Sequence, residues 1–453
     1  MTEHPYGPAR SRRRFRFGTT LLGAVLAAGL AMAPPAGAAA PSANPPSPSP
    51  GDPRQLAYVA NQSSDDVSVI DTATNTVVTT ISTGEGSGPS GVAVTPDGTK
   101  AYVTDFAANQ VSVIDTATNT VATTISTGEG SGPSGVAVTP DGTKAYVAES
   151  LSDTVSVIDT ATDTIPTTVA VPGGTSPFQV AVAPTNGSQV YVSLRAGGND
   201  GDVAVISTAT NTLTDVIGPQ TPAYGLAVTP DGGQLYVAQF TDQINQVTVL
   251  DTATGNTITT IDTGTDTQPF GVAVTPDGTR AYVTFSGNGA GQESVGVIDT
   301  ATGTLVDTVG VGEAPVAVAV TPDSSRAYVA NSSSNDVSVI DIATDTLSDT
   351  VGVGTGPISV AIATVPGVPS PGPRGTVSSA KPVAVYAKPD RHSDVVGHLK
   401  PGRTVALACK LGHGDRAAGG DHGWYKLAED PRGWVQAERL RVVNPPVPPC
   451  SHG

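Results

Sequence analysis

The sequence predicts an all-β chain: a seven-bladed β-propeller closed by pairing of its N- and C-terminal strands, followed by a small β-barrel. Three observations predict it. The tyrosine of a "YV" pair recurs at Tyr58, Tyr102, Tyr146, Tyr191, Tyr236, Tyr282 and Tyr328, every 44 to 46 residues, a period that signals stacked or radial repeats. Each unit reads as four short strands. The last unit, "GPISVAIAT" from Gly356 to Thr364, stops after one strand, and the first unit, "LAYVANQSSDDVSVIDTATNTVVTTI", lacks that same strand.

Within a unit, "GVAVTP" and "AYVT" are Val-rich runs joined by "DG", whose glycine supplies positive φ to a tight turn. "VSVIDT" alternates apolar and polar side chains, and "ATNT" turns the chain into "VVTTI". Nothing in the unit has helical period. About 45 residues and four strands fit a propeller blade. A solenoid would have polar end units; here the two ends complete one another, so a ring of seven leaves no sheet edge open at the junction. The segment Ile81 to Val103 recurs verbatim at Ile125 to Val147, which implies duplication of one unit.

These repeats, "YVAN", "YVTD", "VSVIDTATNTV" and "GVAVTPDGTKAYV", resemble the YVTN family of β-propeller repeats from about Gln55 to Thr364. The resemblance implies the fold, and exported or surface-layer proteins with interaction roles. It implies little chemistry, because a propeller hosts many functions.

The ends of the chain differ from its middle. Residues 1 to 40 combine a basic run, a short apolar stretch broken by Gly and Pro, and small residues, as an export signal does. Ser11-Arg12-Arg13-Arg14-Phe15 also resembles a twin-arginine signal, with general secretion as the alternative. Residues 41–54 are a Pro/Ser-rich disordered segment, and no other apolar run is long enough to anchor the mature chain in a membrane. The mature protein is expected to be secreted, extracellular or associated with the cell wall, and monomeric. Residues 41–373 hold six Lys+Arg against 32 Asp+Glu. A body this acidic excludes nucleic acid as partner, since phosphate contacts need clustered cations; it keeps an exported surface soluble, or binds a cation.

After a Pro-rich linker at 365–374, residues 375–453 form the second domain. "VVGHLKPGRTV" and "GWYKL…RGWVQAERL" resemble a bacterial SH3-like domain, which implies a small β-barrel and binding to cell-wall peptides; "VYAKPDRHS" departs from the family's usual run. Tyr386, Trp424, Tyr425 and Trp434 are the candidate groove, and at least one of the tryptophans is expected in the core. Residues 374–453 hold twelve Lys+Arg against seven Asp+Glu, which suits an anionic wall surface. The only cysteines, Cys409 and Cys450, are most simply a disulfide in an exported protein, contributing roughly 3 to 4 kcal/mol.

Comparing the seven units locates the candidate site. The turns on one face are monotonous, with "TPDG" at Thr95, Thr139, Thr229 and Thr275. On the other face, the position two before the "VAV" core reads Ser90, Ser134, Phe178, Tyr224, Phe270, Val316, Ile358. The position after "YVx" reads Asn61, Asp105, Glu149, Leu194, Gln239, Phe285, Asn331. Phe178, Tyr224, Phe270, Val316 and Ile358, with Leu194 and Phe285, are therefore expected around the channel mouth, as a binding surface or as a plug packed on itself. All six histidines lie outside the ring, and without His, Cys or Trp it lacks soft metal ligands and the commonest general base. No cofactor is expected, save calcium at Asp105 and Glu149. The function expected is a non-enzymatic binding scaffold whose partner is peptidoglycan or another surface protein. The alternative is a carboxylate- or calcium-dependent hydrolase or lyase, lactonase-like, at the channel mouth.

Overall fold

The computed structural model describes residues 53–185, 187–196, 202–287, 293–366, 374–379, 381–388, 392–401, 404–411, 424–427, 433–436 and 439–442. The export signal, most of the Pro/Ser-rich segment, the core of the linker and Cys450 lie outside these residues, and so does the side chain of Cys409.

Seven four-stranded antiparallel sheets form the ring. We number the blades I to VII and their strands a to d from the axis outward. Blade I joins the two ends of the repeat region: strand a is Pro357–Val365, and b, c and d are Arg54–Asn61, Asp66–Asp71 and Thr76–Ser82. Strands a and b pair from Arg54 opposite Val365 to Asn61 opposite Pro357, with one bulge. The expected closure is present, one residue longer at each end than the sequence pattern suggested.

Side chains alternate across a strand, so each b strand serves two seams. In blade I, Leu56 and Tyr58 pack toward blade II, whereas Ala57 and Val59 pack toward blade VII. Burial on both faces explains why "AYV" runs are continuously apolar. Every seam has its own hydrophobic cluster, for example Tyr102, Val111, Val113 and Ile125 of blade II against Val136, Ala145, Val147 and Ile158 of blade III. Near the axis the a strands approach so closely that a Cβ on Gly135 would meet the backbone of Gln179 at 2.8 Å, and one on Gly271 that of Ala317 at 3.0 Å.

The seven tyrosines fill the seams, all fully buried. Burial pushes their hydroxyl pKa values up, so each remains a hydrogen-bond donor and needs an acceptor. In five blades the acceptor belongs to the next blade, at the left-handed residue of its c–d turn. Tyr58 donates to Asn119 (3.2 Å), Tyr102 to Asp163 (2.6 Å), Tyr146 to Asn211 (2.7 Å), Tyr282 to Asp345 (2.7 Å) and Tyr328 to Asn75 (2.6 Å). Asn and Asp tolerate φ near +50° and carry an oxygen there. The cation two residues before the tyrosine joins in: Lys100 Nζ reaches Asp163 Oδ2 (2.7 Å) and the Thr160 carbonyl (2.8 Å), Lys144 the Thr208 carbonyl (2.6 Å), Arg280 Asp345, and Arg326 the Thr72 carbonyl (2.7 Å).

Blades IV and V differ at both positions together. The residue two before the tyrosine is Gln189 or Gln234, and the left-handed residue facing the tyrosine is Gly255 or Gly303, which offers no side-chain oxygen. Tyr191 donates instead to Gln189 (2.8 Å) and Tyr236 to Gln234 (3.4 Å) of its own strand.

A second small sheet follows the ring. Its seven strands are Arg374–Val377, Val383–Tyr386, Val395–Leu399, Thr404–Leu411, Trp424–Leu427, Trp434–Gln436 and Leu440–Val442. Val377, Val383, Val385, Leu399, Leu407, Tyr425, Leu427 and Val435 form its core. It is a small β domain.

The co-substituted seams make a prediction. Gln234→Lys with Gly303→Asn rebuilds the missing contact between blades V and VI. A Cβ at 303 meets only Thr259 Cγ2 at 3.2 Å, and equivalent threonines already accommodate Asn119 and Asp163. In a double-mutant cycle on thermal or urea unfolding, the pair is expected to exceed the sum of the single changes by about 0.5 to 1 kcal/mol; additive effects would refute the contact.

Candidate functional site

The b strands run toward the mouth face and the a strands start there, so both variable positions of the repeats come to that end of the ring. Their fates differ with strand. Position two before "VAV" lies at the start of strand a, beside the axis, and Phe178, Tyr224, Phe270, Val316 and Ile358 are all half-buried. The position after "YVx" lies at the end of strand b, inside a seam, and is sealed.

Leu194 and Phe285 are thus corrected: they are core residues. Leu194 packs in the cluster between blades III and IV, and Phe285 in that between V and VI. Phe285 is matched by Gly296, where any Cβ would run into its ring. Position 204, the counterpart of Gly296 opposite Leu194, is alanine. In the other five blades these positions carry a buried polar cluster instead. Asn61 Nδ2 donates to Asp66 Oδ1 (2.7 Å) and Ser68 Oγ (2.9 Å), and Asn331 does the same to Asp336 and Ser338 at the same distances. Gln239 Oε1 accepts from Gln246 Nε2 (3.1 Å) and Thr248 Oγ1 (2.6 Å).

Asp105 and Glu149 occupy this interior position too, and both are buried away from the mouth surface. Asp105 Oδ2 accepts from Ser112 Oγ (2.7 Å) and Gln110 Nε2 (3.1 Å). Glu149 accepts from Thr154 Oγ1 (2.7 Å), Ser152 Oγ (3.1 Å) and Ser156 Oγ. Among the described residues no group of three or more His, Cys, Asp or Glu is placed to hold a metal ion. Asp202, from the acid-rich "NDGD" run, is fully buried between blades IV and V and accepts from Gln239 Nε2; the rest of that loop lies outside the described residues.

What gathers at the mouth is aromatic. Phe178 meets Phe270 edge-on (centroids 5.6 Å apart, 85°) and Tyr224 likewise (6.3 Å, 76°). Tyr224 lies 5.2 Å from Phe270. Phe240, the last residue of strand b in blade V, stacks on Tyr224 at 4.2 Å and 15°. Sequence comparison missed Phe240 because it lies one position beyond the aligned column; that strand runs one residue further toward the mouth than its counterparts. Arg195 Cζ sits 5.1 Å from the centroid of the Phe178 ring, a cation–π contact. Three blades contribute to the cluster, and they are the blades bordering the two seams that lack the tyrosine-to-turn contact.

On the C-terminal domain, Trp434 is directly opposite both Tyr386 and Lys426 across neighbouring strands, so the three share a face. Lys426 Nζ is 5.7 Å from the Trp434 ring. Trp424, on that same face, is 97% removed from solvent and meets Tyr386 edge-on at 5.4 Å. Tyr425 points the other way, into the core. The candidate groove therefore reduces to Tyr386 and Trp434, since Trp424 and Tyr425 are buried.

A family model described as "Lactonase, 7-bladed beta-propeller" matches residues 43–256. The ring is similar to the lactonase propellers. The match spans just under half of the chain, and it covers the blades that carry the aromatic mouth up to Phe240. Among solved structures, a chain of Kuenenia stuttgartiensis hydrazine synthase is 26% identical with a TM-score of 0.58, covering 64% of this chain and 92% of that one. A functionally unknown protein from Desulfotomaculum acetoxidans, 19% identical with a TM-score of 0.57, covers 68% and 99% and shows the fold alone. No curated protein matches.

The buried carboxylates set a pH dependence. Burial pushes Asp105 up to about 6 and Asp202 up to about 7. A carboxyl raised above its unfolded value near 3.9 holds its proton more tightly in the fold, so its ionisation removes stability as pH rises from about 4 through 7. The "TPDG" turns act oppositely: hydrogen bonds from Thr95, Thr139, Thr229 and Thr275 hold Asp97, Asp141, Asp231 and Asp277 low, and that stability is lost as pH falls below about 4. Thermal stability is expected to peak between about pH 4 and 6. Asp105→Asn and Asp202→Asn should each stabilise by on the order of 2 kcal/mol at pH 8 and by little at pH 4; equal effects at both pH values would contradict the assignment.

Proposed function

We propose that the chain is an exported, non-enzymatic binding protein. The ring is its interaction platform, and the C-terminal domain, read as SH3-like, holds it at cell-wall peptidoglycan. One observation carries the first half: the mouth position at the start of strand a stays partly accessible and is apolar in five consecutive blades, three of them aromatic, while Asp105, Glu149 and Asp202 are sealed inside the seams. Accessible aromatic surface beside a channel is suited to docking. The second half is supported by Tyr386 and Trp434 on one sheet face beside Lys426, within a domain of net positive charge. Weak contacts there gain from avidity across a repetitive wall polymer.

The family match favours a second reading, lactone hydrolysis at the same mouth. It has no accessible base among Asp105, Glu149 and Asp202, and the ring contains no histidine.

Cosedimentation of the mature protein with purified peptidoglycan sacculi tests the anchor. Wild-type protein is expected to pellet, and the Tyr386→Ala/Trp434→Ala variant to pellet at least fivefold less. Equal pelleting by both, or none by either, overturns the wall-binding assignment. Turnover of a lactone panel above the buffer rate by the same preparation would transfer the conclusion to the second reading.

A further inference from the structure

The chemistry of the mouth partner follows from where the ring keeps its charges. The ring has six cations, and five are committed on the face away from the mouth: Arg54 pairs with Asp71 within blade I, Lys100 with Asp163 and Arg280 with Asp345 across seams, while Lys144 and Arg326 hold the carbonyls of Thr208 and Thr72. The sixth, Arg195, is on the mouth face. No carboxylate of a described residue pairs with it, and its guanidinium lies over Phe178.

Acids are distributed in the opposite way. Loops and strand ends on the mouth face carry Glu85, Glu129, Asp242, Asp262, Asp266 and Glu313, all exposed. Among the described residues, therefore, the mouth face that holds the aromatic cluster of Phe178, Tyr224, Phe240 and Phe270 carries acids and, apart from Arg195, no cation. Rings present their negative π-face to cations, and an acidic rim raises the local concentration of a positive partner and steers its approach.

We propose that the mouth docks an arginine-bearing segment of a partner protein, its guanidinium groups stacking on the aromatic cluster and paired at the rim, in the way Arg195 stacks within the chain. This rests on the reading of the ring as an interaction platform and names the partner's chemistry. A site spanning three blades offers one guanidinium face to a side chain and leaves rim carboxylates for its neighbours, which suits a peptide better than a small cation.

The test is fluorescence anisotropy of the labelled peptide Ac-Gly-Arg-Gly-Arg-Gly-Arg-NH2 with the mature protein, against its citrulline counterpart, which has nearly the same shape without charge, and against free guanidinium. Binding of the arginine peptide at least tenfold tighter than the citrulline peptide, weakened by salt and competed only by large excesses of guanidinium, is expected. Phe270→Leu, which keeps an apolar side chain but removes the π-face, should weaken binding about three- to tenfold. Glu85→Gln/Asp266→Asn/Glu313→Gln, at exposed positions that leave the fold intact, should weaken it and flatten the salt dependence. Equal binding of arginine and citrulline peptides would overturn the proposed chemistry while leaving the mouth a platform. Tight arginine binding unchanged by both variants would place it elsewhere on the acidic surface and overturn the site. No binding of any probe would overturn the site and the platform reading together.

Discussion

The ring depends on one antiparallel pairing, that of Pro357–Val365 with Arg54–Asn61. Each blade is a twisted sheet whose two faces are both apolar, so a blade at the end of an open row would expose one face and the backbone edge of its innermost strand. Joining the first and last strands of the repeat region in a single sheet removes both costs. It also makes the contact of blade I with blade VII equivalent to every other seam, as the shared cluster of Tyr328, Val339, Ala57 and Val59 shows.

Once the ring is closed, the seams govern what each side chain is available to do. Tyrosine recurs because it fills a seam and carries a hydroxyl to the one place where the next blade's turn supplies an oxygen. Asparagine or aspartate recurs in that turn because it tolerates a left-handed backbone. The correlated exchange to glutamine and glycine in blades IV to VI shows that these two positions work as one contact. The same economy holds at the ends of the b strands: a polar residue there is surrounded by hydroxyl, amide or carboxylate groups, and where it becomes Leu194 or Phe285 the facing residue shrinks to alanine or glycine. A buried polar group needs its partner, and an apolar replacement needs only space.

The mouth is organised by the same constraint. Carboxylates that enter the seams are held by serine, threonine and glutamine, and burial makes Asp105 and Asp202 titrate high. Rings that start the a strands have no seam to enter, because neighbouring a strands touch there through glycine and backbone. They lean over the axis and pack on one another, leaving part of their surface accessible beneath an acidic rim.

Local pattern fixes the period, the four strands of each unit, the "TPDG" and "ATNT" turns and the ring closure, because these depend on alternation, turn chemistry and the matching of two incomplete ends. Aromatic residues at 178, 224 and 270 were legible as a mouth cluster by comparing units. The fate of Leu194, Phe285, Asp105 and Glu149 was not, since a residue at the end of strand b and one at the start of strand a look alike in a column of repeats. Only their placement, one inside a seam and one beside the axis, separates buried from accessible. Likewise the sequence marked four aromatics of the C-terminal domain as one group, and the sheet divided them: Tyr425 faces the core, while Tyr386 and Trp434 are cross-strand neighbours on the other side. Periodicity states which residues share a strand face; which face meets another sheet and which meets solvent is decided when the sheets pack.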